Sequence, residues 1–341
     1  MKDLTNLKTY IIDSPDPHEV DDAISIEIKE GKPTKLWVHI SNPCSLFSID
    51  SKIDNIARKK NSSLYLTDQY VPMLPQSIID KANLKQNKVS NTISASIIFN
   101  DDGSVKNYEI IEAIIKPKYQ LTYEDANEIL ELEPKEEAEF TDLKNLLLRS
   151  IEYRKSRGAI IFDTPISKLK LKEGIVILNK LEKTLSQIIV SEAMILMGYV
   201  TSLYLLNNNL PAAYRTQKIN CNPEEILNKY KNSEIRYILL KQYMGKSYIT
   251  TKPNKHECLG LNSYVQCTSP LRRYLDLTIQ RQVYNKIKNY DEINNINLTG
   301  IIDYSKNRQL EINQIYKNDK VKYLFLFFKN ENKVYYKIIF V

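Results

Sequence analysis

The sequence predicts a mixed α/β fold: one large domain, sheet-rich in its N-terminal part, with helices packed around the sheet. Three observations carry that prediction. Apolar residues alternate with period two in the early chain, as at residues 23–28 and 93–99. Helical spacing dominates from residue 185 onward. No repeat or low-complexity linker separates the two parts, and 341 residues at 43% hydrophobic supply ample core.

Residues 10–12 and 23–28 read as strands flanking a polar loop, whose Ser14-Pro15-Asp16-Pro17 is a turn cluster. Residues 30–33 (Glu-Gly-Lys-Pro) make a turn into a strand at 36–40, and 50–60 has helical spacing. Asp102-Gly103 marks a hairpin between strands 93–99 and 108–115. Thr122, followed by Glu124 and Asp125, opens a helix to residue 132 that Pro134 ends. A long amphipathic helix covers 136–157, and short strands are expected at 160–162, 168–171 and 175–178. Helices are expected at 185–206, 223–243, 269–289 and 300–330, with a strand-like tail at 333–341. The chain is thus read as one module, with its core at 8–285, a helical extension at 286–330 and a tail at 331–341.

Composition narrows the function. The 23 Tyr and 8 Phe exclude a wholly disordered chain. A net charge of +7 suits a polyanionic partner without resembling a histone-like tail. With 8 glycines there is neither GxGxxG nor GxxxxGK[ST]. Cys44, Cys221, Cys258 and Cys267 form no CxxC pair. The neighbours His256, Cys258 and Cys267 are read as incidental or buried, in a reducing compartment. Asp13 and Asp16 stand where a signal peptide would be apolar. Residues 193–214 are uncharged, but the apolar part at 193–206 is too short to span a bilayer and reads as a buried helix. No membrane partner is expected. Lys, Asn and Ile are abundant and Arg scarce, the mark of an AT-rich genome.

Three local features carry chemistry. In residues 13–22, five of ten are acidic: Asp13, Asp16, Glu19, Asp21 and Asp22. Such density is repulsive unless something positive sits among the carboxylates. Oxygen ligands gathered at a strand end suit Mg²⁺ or Mn²⁺, and a solvated acidic loop is the alternative. In residues 268–276, Ser269-Pro270 reads as a helix start that puts Arg272 and Arg273 in the first turn. Cations are disfavoured there by the helix dipole, so a phosphate would justify them, as would pairing with Asp276. Tyr65, ahead of Val71-Pro72-Met73-Leu74-Pro75, is either a base-stacking aromatic or a core tyrosine. Metal, phosphate-directed arginines and an aromatic together suit metal-assisted phosphodiester hydrolysis.

These residues also carry a resemblance. The chain resembles the catalytic RNB domain of the ribonuclease II / ribonuclease R exoribonucleases. The likeness runs from Ile12-Asp13-Ser14 and Asp21-Asp22-Ala23 through Pro72-Met73-Leu74-Pro75 to Arg157-Gly158-Ala159-Ile160-Ile161-Phe162-Asp163-Thr164-Pro165. It continues in Glu192-Ala193-Met194-Ile195-Leu196, Leu210-Pro211, Tyr214-Arg215, Gly260-Leu261 and Tyr264. It ends in Thr268-Ser269-Pro270-Leu271-Arg272-Arg273-Tyr274-Leu275-Asp276. The ordered set is specific where no single block is.

The resemblance implies 3′→5′ hydrolysis of single-stranded RNA to 5′-nucleoside monophosphates. It implies two Mg²⁺ ions sharing Asp13, Glu19, Asp21 and Asp22, one generating the attacking hydroxide and one stabilising the leaving 3′-oxygen. Asp21 is expected to be the most critical carboxylate, Arg272 to contact the scissile phosphate, and Tyr65 to pack near the terminal nucleotide. Glu19 stands where the family has Asp. Glu257, after His256, stands where bacterial members have a stacking Phe, which turns attention to Tyr264 as an RNA contact. The stretch 314–319, comparable to a family helix with a substrate-orienting Glu, contains none. No accessory RNA-binding barrels are seen, so a protein partner supplying further RNA-binding surface is expected, with the chain itself a monomer. Expected locations are the plastid stroma, if the gene is plastid-borne, or a bacterial cytoplasm. Two other readings stand beside the exoribonuclease: an RNB-like module that binds RNA without cutting it, and a small-substrate phosphatase.

Overall fold

The computed structural model describes residues 1–29, 32–162, 166–181, 183–230 and 236–330. The chain begins with β1 (Lys2–Asp3), β2 (Thr9–Asp13), β3 (Asp22–Lys29) and β4 (Lys32–Ser41), followed by α1 (Lys52–Lys60). The short strands β5 (Leu64–Tyr65) and β6 (Tyr70–Val71) precede α2 (Gln76–Ala82). Then come β7 (Ser90–Phe99), β8 (Val105–Ile115), β9 (Tyr119–Thr122), α3 (Tyr123–Leu132) and α4 (Ala138–Ser156). A hairpin of β10 (Ile166–Lys172) and β11 (Ile175–Leu181) leads to α5 (Leu185–Asn207). The remainder is β12 (Tyr214–Thr216), α6 (Pro223–Lys229), α7 (Arg236–Tyr243), β13 (Tyr248–Thr250), α8 (Tyr274–Lys288) and α9 (Asn295–Asn330).

A seven-stranded sheet in the order β1-β8-β7-β4-β3-β2-β9 organises the molecule. Only its outer pairs, β1–β8 and β2–β9, are parallel. Alternation decides its two faces. Ile24, Ile26, Val38, Ile40, Ile93, Ala95 and Ile97 point to the main core, where Phe140 and Leu147 of α4, Val200 of α5 and Val283 of α8 meet them. The opposite face carries Ile11, Ala23, Trp37 and Ala113, covered by Leu4, Val20 and Leu84. Its centre is polar. The His39 ring bonds Ser25 Oγ through Nε2 at 2.9 Å and Ser94 Oγ through Nδ1 at 2.8 Å. All three are buried, and the depressed His39 pKa, about 3, follows from that burial.

The mixed α/β reading and most expected elements are found. Thr122 and Asp125 form a reciprocal capping box on α3. The apolar segment lies in α5, which is long enough to cross a bilayer by length and composition. In the fold it is a core helix: Ala193 and Val200 are fully buried, and Glu192 pairs with Arg154. Cys44, Cys258 and Cys267 are buried free thiols, as expected for packing residues.

Several expectations need correction. Residues 160–162 are not a strand; Ile160 packs with Tyr237 and Leu240. The helix expected over 223–243 is two helices, α6 and α7. α9 begins five residues before the expected start at 300. Met73 and Leu74 are fully buried against Tyr274 and Leu277, so that Pro-flanked stretch is core. The turn at 30–31, Asp163-Thr164-Pro165 and the tail at 331–341 lie outside the described residues.

Candidate active site

The acidic stretch bridges the end of β2 and the start of β3, so Asp13 and Asp22 sit at the rims of neighbouring sheet strands. Asn83 braces the loop between them. Its Oδ1 accepts from Val20 N at 2.8 Å, and its Nδ2 donates to His18 O at 3.2 Å. Asp16 adopts the left-handed conformation, φ 51°, which turns the loop back. A cavity of about 410 Å³ opens beside it, lined by Asp13, Glu19, Asp21, Asp22, Tyr65 and Arg272 among others.

Asp21 is buried, and both its oxygens are engaged from far along the chain. Leu271 N donates to Oδ1 at 2.9 Å, and Arg272 Nε donates to Oδ2 at 3.3 Å. Desolvation nevertheless pushes Asp21 up to about 8; Arg272 and the Leu271 amide pull it down, and Asp22 and Glu19 push it further up. Asp22 rises to about 7 through desolvation and the Asp13 charge, against Arg272 and Arg273. Asp13 Oδ1 accepts from Ser14 N at 2.6 Å. This pocket holds more negative charge than its one lining guanidinium balances, the electrostatic condition for a bound cation.

Glu19 is committed differently. Its Oε1 accepts from Ser63 Oγ at 2.7 Å, and its Oε2 accepts from the Tyr65 hydroxyl. Burial and the Glu19 charge raise the Tyr65 pKa. His18 stacks on Tyr70 at 4.1 Å between ring centroids and is a packing residue of the loop. Among the described residues, no three His, Cys, Asp or Glu side chains stand close enough together to hold a metal as they are. The donor chemistry of Asp13, Asp21 and Asp22 suits a hard divalent cation, although in this arrangement Asp21, like Glu19, has both oxygens engaged.

The helix start expected at Ser269 is displaced. The buried Asp276 carboxylate accepts from Ser269 N at 3.0 Å, residues 270–272 form a turn, and α8 starts only at Tyr274. The two arginines therefore stand ahead of the helix and part company. Arg272 lines the cavity. Arg273 Nη2 donates to Asp276 Oδ2 at 2.7 Å and to Ser269 Oγ at 3.1 Å. Both arginines pair with an acid, Arg272 with Asp21 and Arg273 with Asp276, and Arg273 is not a lining residue of the acidic cavity. Tyr264 is not brought to that cavity either. Its ring packs on Gly198 and stands edge-on to His256, 5.7 Å between centroids. Glu257 Oε2 accepts from Ile219 N at 2.6 Å. The pairing of an arginine with Asp276 is the alternative the sequence offered, whereas Ser63 and Asn83 escaped it, because their only signal is a long-range partner.

The RNB domain family model matches residues 1–289. The chain belongs to the RNB family. Its curated relatives include an uncharacterised ribonuclease of Synechocystis, 33% identical over 284 residues, covering 82% of this chain and 43% of that protein. Another is the chloroplastic/mitochondrial ribonuclease II of Arabidopsis thaliana, 32% identical over 289 residues, covering 82% of this chain and 36% of that one. This RNB chain thus spans less than half the length of either. Among solved structures, Mycoplasma genitalium RNase R in complex with ribose-methylated single-stranded RNA shares the fold with TM-score 0.86 and 22% identity, over 95% of this chain and 58% of that one. A yeast pseudonuclease shares it with TM-score 0.72 and 18% identity, over 92% of this chain and 44% of that one. RNB architecture is therefore common to proteins described as nucleases and as a pseudonuclease, and the site must carry the functional argument.

Proposed function

We propose that this RNB chain is a 3′→5′ exoribonuclease that hydrolyses single-stranded RNA to 5′-nucleoside monophosphates with Mg²⁺, Mn²⁺ being the alternative ion. One observation carries the reading: Asp21, in an acidic cavity at a sheet rim, is joined to Arg272, and an aromatic, Tyr65, lines the same cavity. Asp13, Asp21 and Asp22 would hold the metal, with Glu19 joining if Tyr65 releases it. When bound, the metal supplies Lewis acidity toward water and the phosphodiester.

The protein's own residues divide the remaining work. Arg272 Nε is fixed by Asp21, which leaves the Nη groups to donate to a non-bridging phosphate oxygen. Tyr65 is 41% exposed and offers a ring face to a terminal base. The proposed compartment, plastid stroma or bacterial cytoplasm, rests on composition and on the plant and cyanobacterial relatives.

A second reading, RNA binding without cleavage, is favoured by the engagement of both Glu19 oxygens. Purified protein with single-stranded RNA separates the two. The exonuclease releases mononucleotides only with Mg²⁺ or Mn²⁺, and Asp21→Asn stops release while RNA still binds. A binding module gives salt-sensitive affinity, indifferent to chelator, and no mononucleotides.

A further inference from the structure

The hairpin that carries Tyr65 is too small to hold its own shape. β5 and β6 pair at only two positions, Leu64↔Val71 and Tyr65↔Tyr70, and so short an isolated hairpin is at best marginally stable in water. One side is held by the acidic loop, through Tyr65 to Glu19 and through the His18–Tyr70 stack.

The other side is held by α9, some 250 positions away and beyond the residues the family model matches. Asp319 Oδ2 accepts from both Thr67 N at 3.1 Å and Thr67 Oγ1 at 2.7 Å, at the hairpin tip. The Tyr316 hydroxyl accepts from Tyr65 N at 3.1 Å. Lys322 lies 3.8 Å from Asp68. Positions 316, 319 and 323 share one helix face by their spacing, and Tyr323 on that face is buried. The contacts are thus a built seam along α9, gripping the hairpin at its tip and at the backbone of Tyr65 itself.

We propose that Asp319 and Tyr316 are positioning residues for Tyr65: α9 latches the β5–β6 hairpin so that the Tyr65 ring is a fixed platform for the 3′-terminal base of a bound RNA. The platform role rests on the RNA reading above; the latch does not. A platform held in place before binding loses less conformational freedom when a base stacks on it.

Two measurements on the full-length protein test this separately. The first is hydrogen–deuterium exchange across residues 64–71 without RNA. Asp319→Ala should speed exchange there at least tenfold. Asp319→Asn, whose amide oxygen still accepts from Thr67, should stay near wild type. Unchanged exchange in Asp319→Ala overturns the latch.

The second is binding, in chelator, of a single-stranded oligonucleotide with or without its 3′-terminal base. Wild type should prefer the base-bearing RNA by roughly five- to hundredfold, the range expected of one stacked base. Asp319→Ala, Tyr316→Phe and Tyr65→Ala should each erase most of that preference, and Asp319→Ala and Tyr316→Phe should leave affinity for the abasic RNA unchanged. The double variant Asp319→Ala/Tyr65→Ala should lose no more than Tyr65→Ala alone. Full preference in Asp319→Ala, with loss in Tyr65→Ala, overturns the positioning role. If wild type binds no RNA, the RNA reading falls and the platform role with it, and the exchange result still decides the latch.

Discussion

Arg272 Nε lies 3.3 Å from Asp21 Oδ2, and the amide of the preceding residue, Leu271, donates to Asp21 Oδ1 at 2.9 Å. One carboxylate thus fixes both the backbone and the side chain of a turn that is 250 positions away. Asp21 is a structural clasp as well as the proposed centre of the chemistry, so its variants must be chosen to separate the two roles.

Asp21→Asn keeps an oxygen that can accept from Leu271 N and removes the charge. RNA hydrolysis should fall at least about 100-fold, the scale of losing one preorganised electrostatic group. RNA affinity in chelator should stay within a few-fold, because burial already pushes the metal-free Asp21 carboxyl up to about 8 and the substitution changes little charge. Single-turnover hydrolysis and binding in chelator report the two values. Equal losses in both would place Asp21 in folding rather than chemistry.

Arg272→Lys tests the guanidinium fork. An ammonium cannot donate to Asp21 and to a phosphate in the same planar arrangement. The rate constant should drop about 100-fold with a much smaller change in KM, as for a contact made mainly in the transition state. A change confined to KM would instead mark a ground-state contact.

Asp276 does more than pair with an arginine. Its carboxylate is buried and holds both Ser269 N and Arg273. Asp276→Ala should lower stability by about 2 kcal/mol, the scale of charge-assisted hydrogen bonds lost from a buried acceptor. Chemical denaturation measures it. Loosening the turn should also slow hydrolysis, and Asp276→Asn should recover part of both losses.

The Arg154–Glu192 pair locks α4 to α5. Arg154 Nε donates to Glu192 Oε1 at 2.9 Å, Nη1 donates to Leu259 O at 2.7 Å, and both side chains are buried. Removing one partner strands a buried charge, so Glu192→Ala should cost about 3–5 kcal/mol. Replacing both together with apolar residues should cost far less. Urea unfolding of the single and double variants distinguishes them.

Much of this was legible in the sequence. Alternation at residues 23–28 and 93–99 gave the central strands because one face of each is buried. Charge density exposes the 13–22 stretch, and cations at an apparent helix start draw attention to Arg272. Other features were hidden because their partners lie outside the local pattern. Ser269-Pro270 looks like a helix start locally, yet Asp276 captures the Ser269 amide and delays α8 to Tyr274. Tyr264 looks like a spare aromatic until Gly198 of α5 is seen to make room for its ring. Asp319 has no local motif at all; its meaning lies in Thr67, 252 positions earlier.

Acid should destabilise the fold through His39. Its folded pKa is depressed to about 3 by burial, against an ordinary value of 6.5. The unfolded chain therefore binds one more proton between those values, so stability rises with pH across that window and is lost as pH falls below about 6.5. The slope from this group approaches about 1.4 kcal/mol per pH unit. Urea unfolding at several pH values should show a smaller slope, by about one proton, in His39→Gln. An unchanged slope would mean that His39 is not buried neutral.

The central claim is tested most directly with 5′-labelled single-stranded RNA, incubated with purified protein in the presence and absence of Mg²⁺. The account predicts a ladder that shortens from the 3′ end only when the metal is present, with 5′-mononucleotides as the released product. Intact RNA under both conditions, or cuts at internal positions, would contradict it.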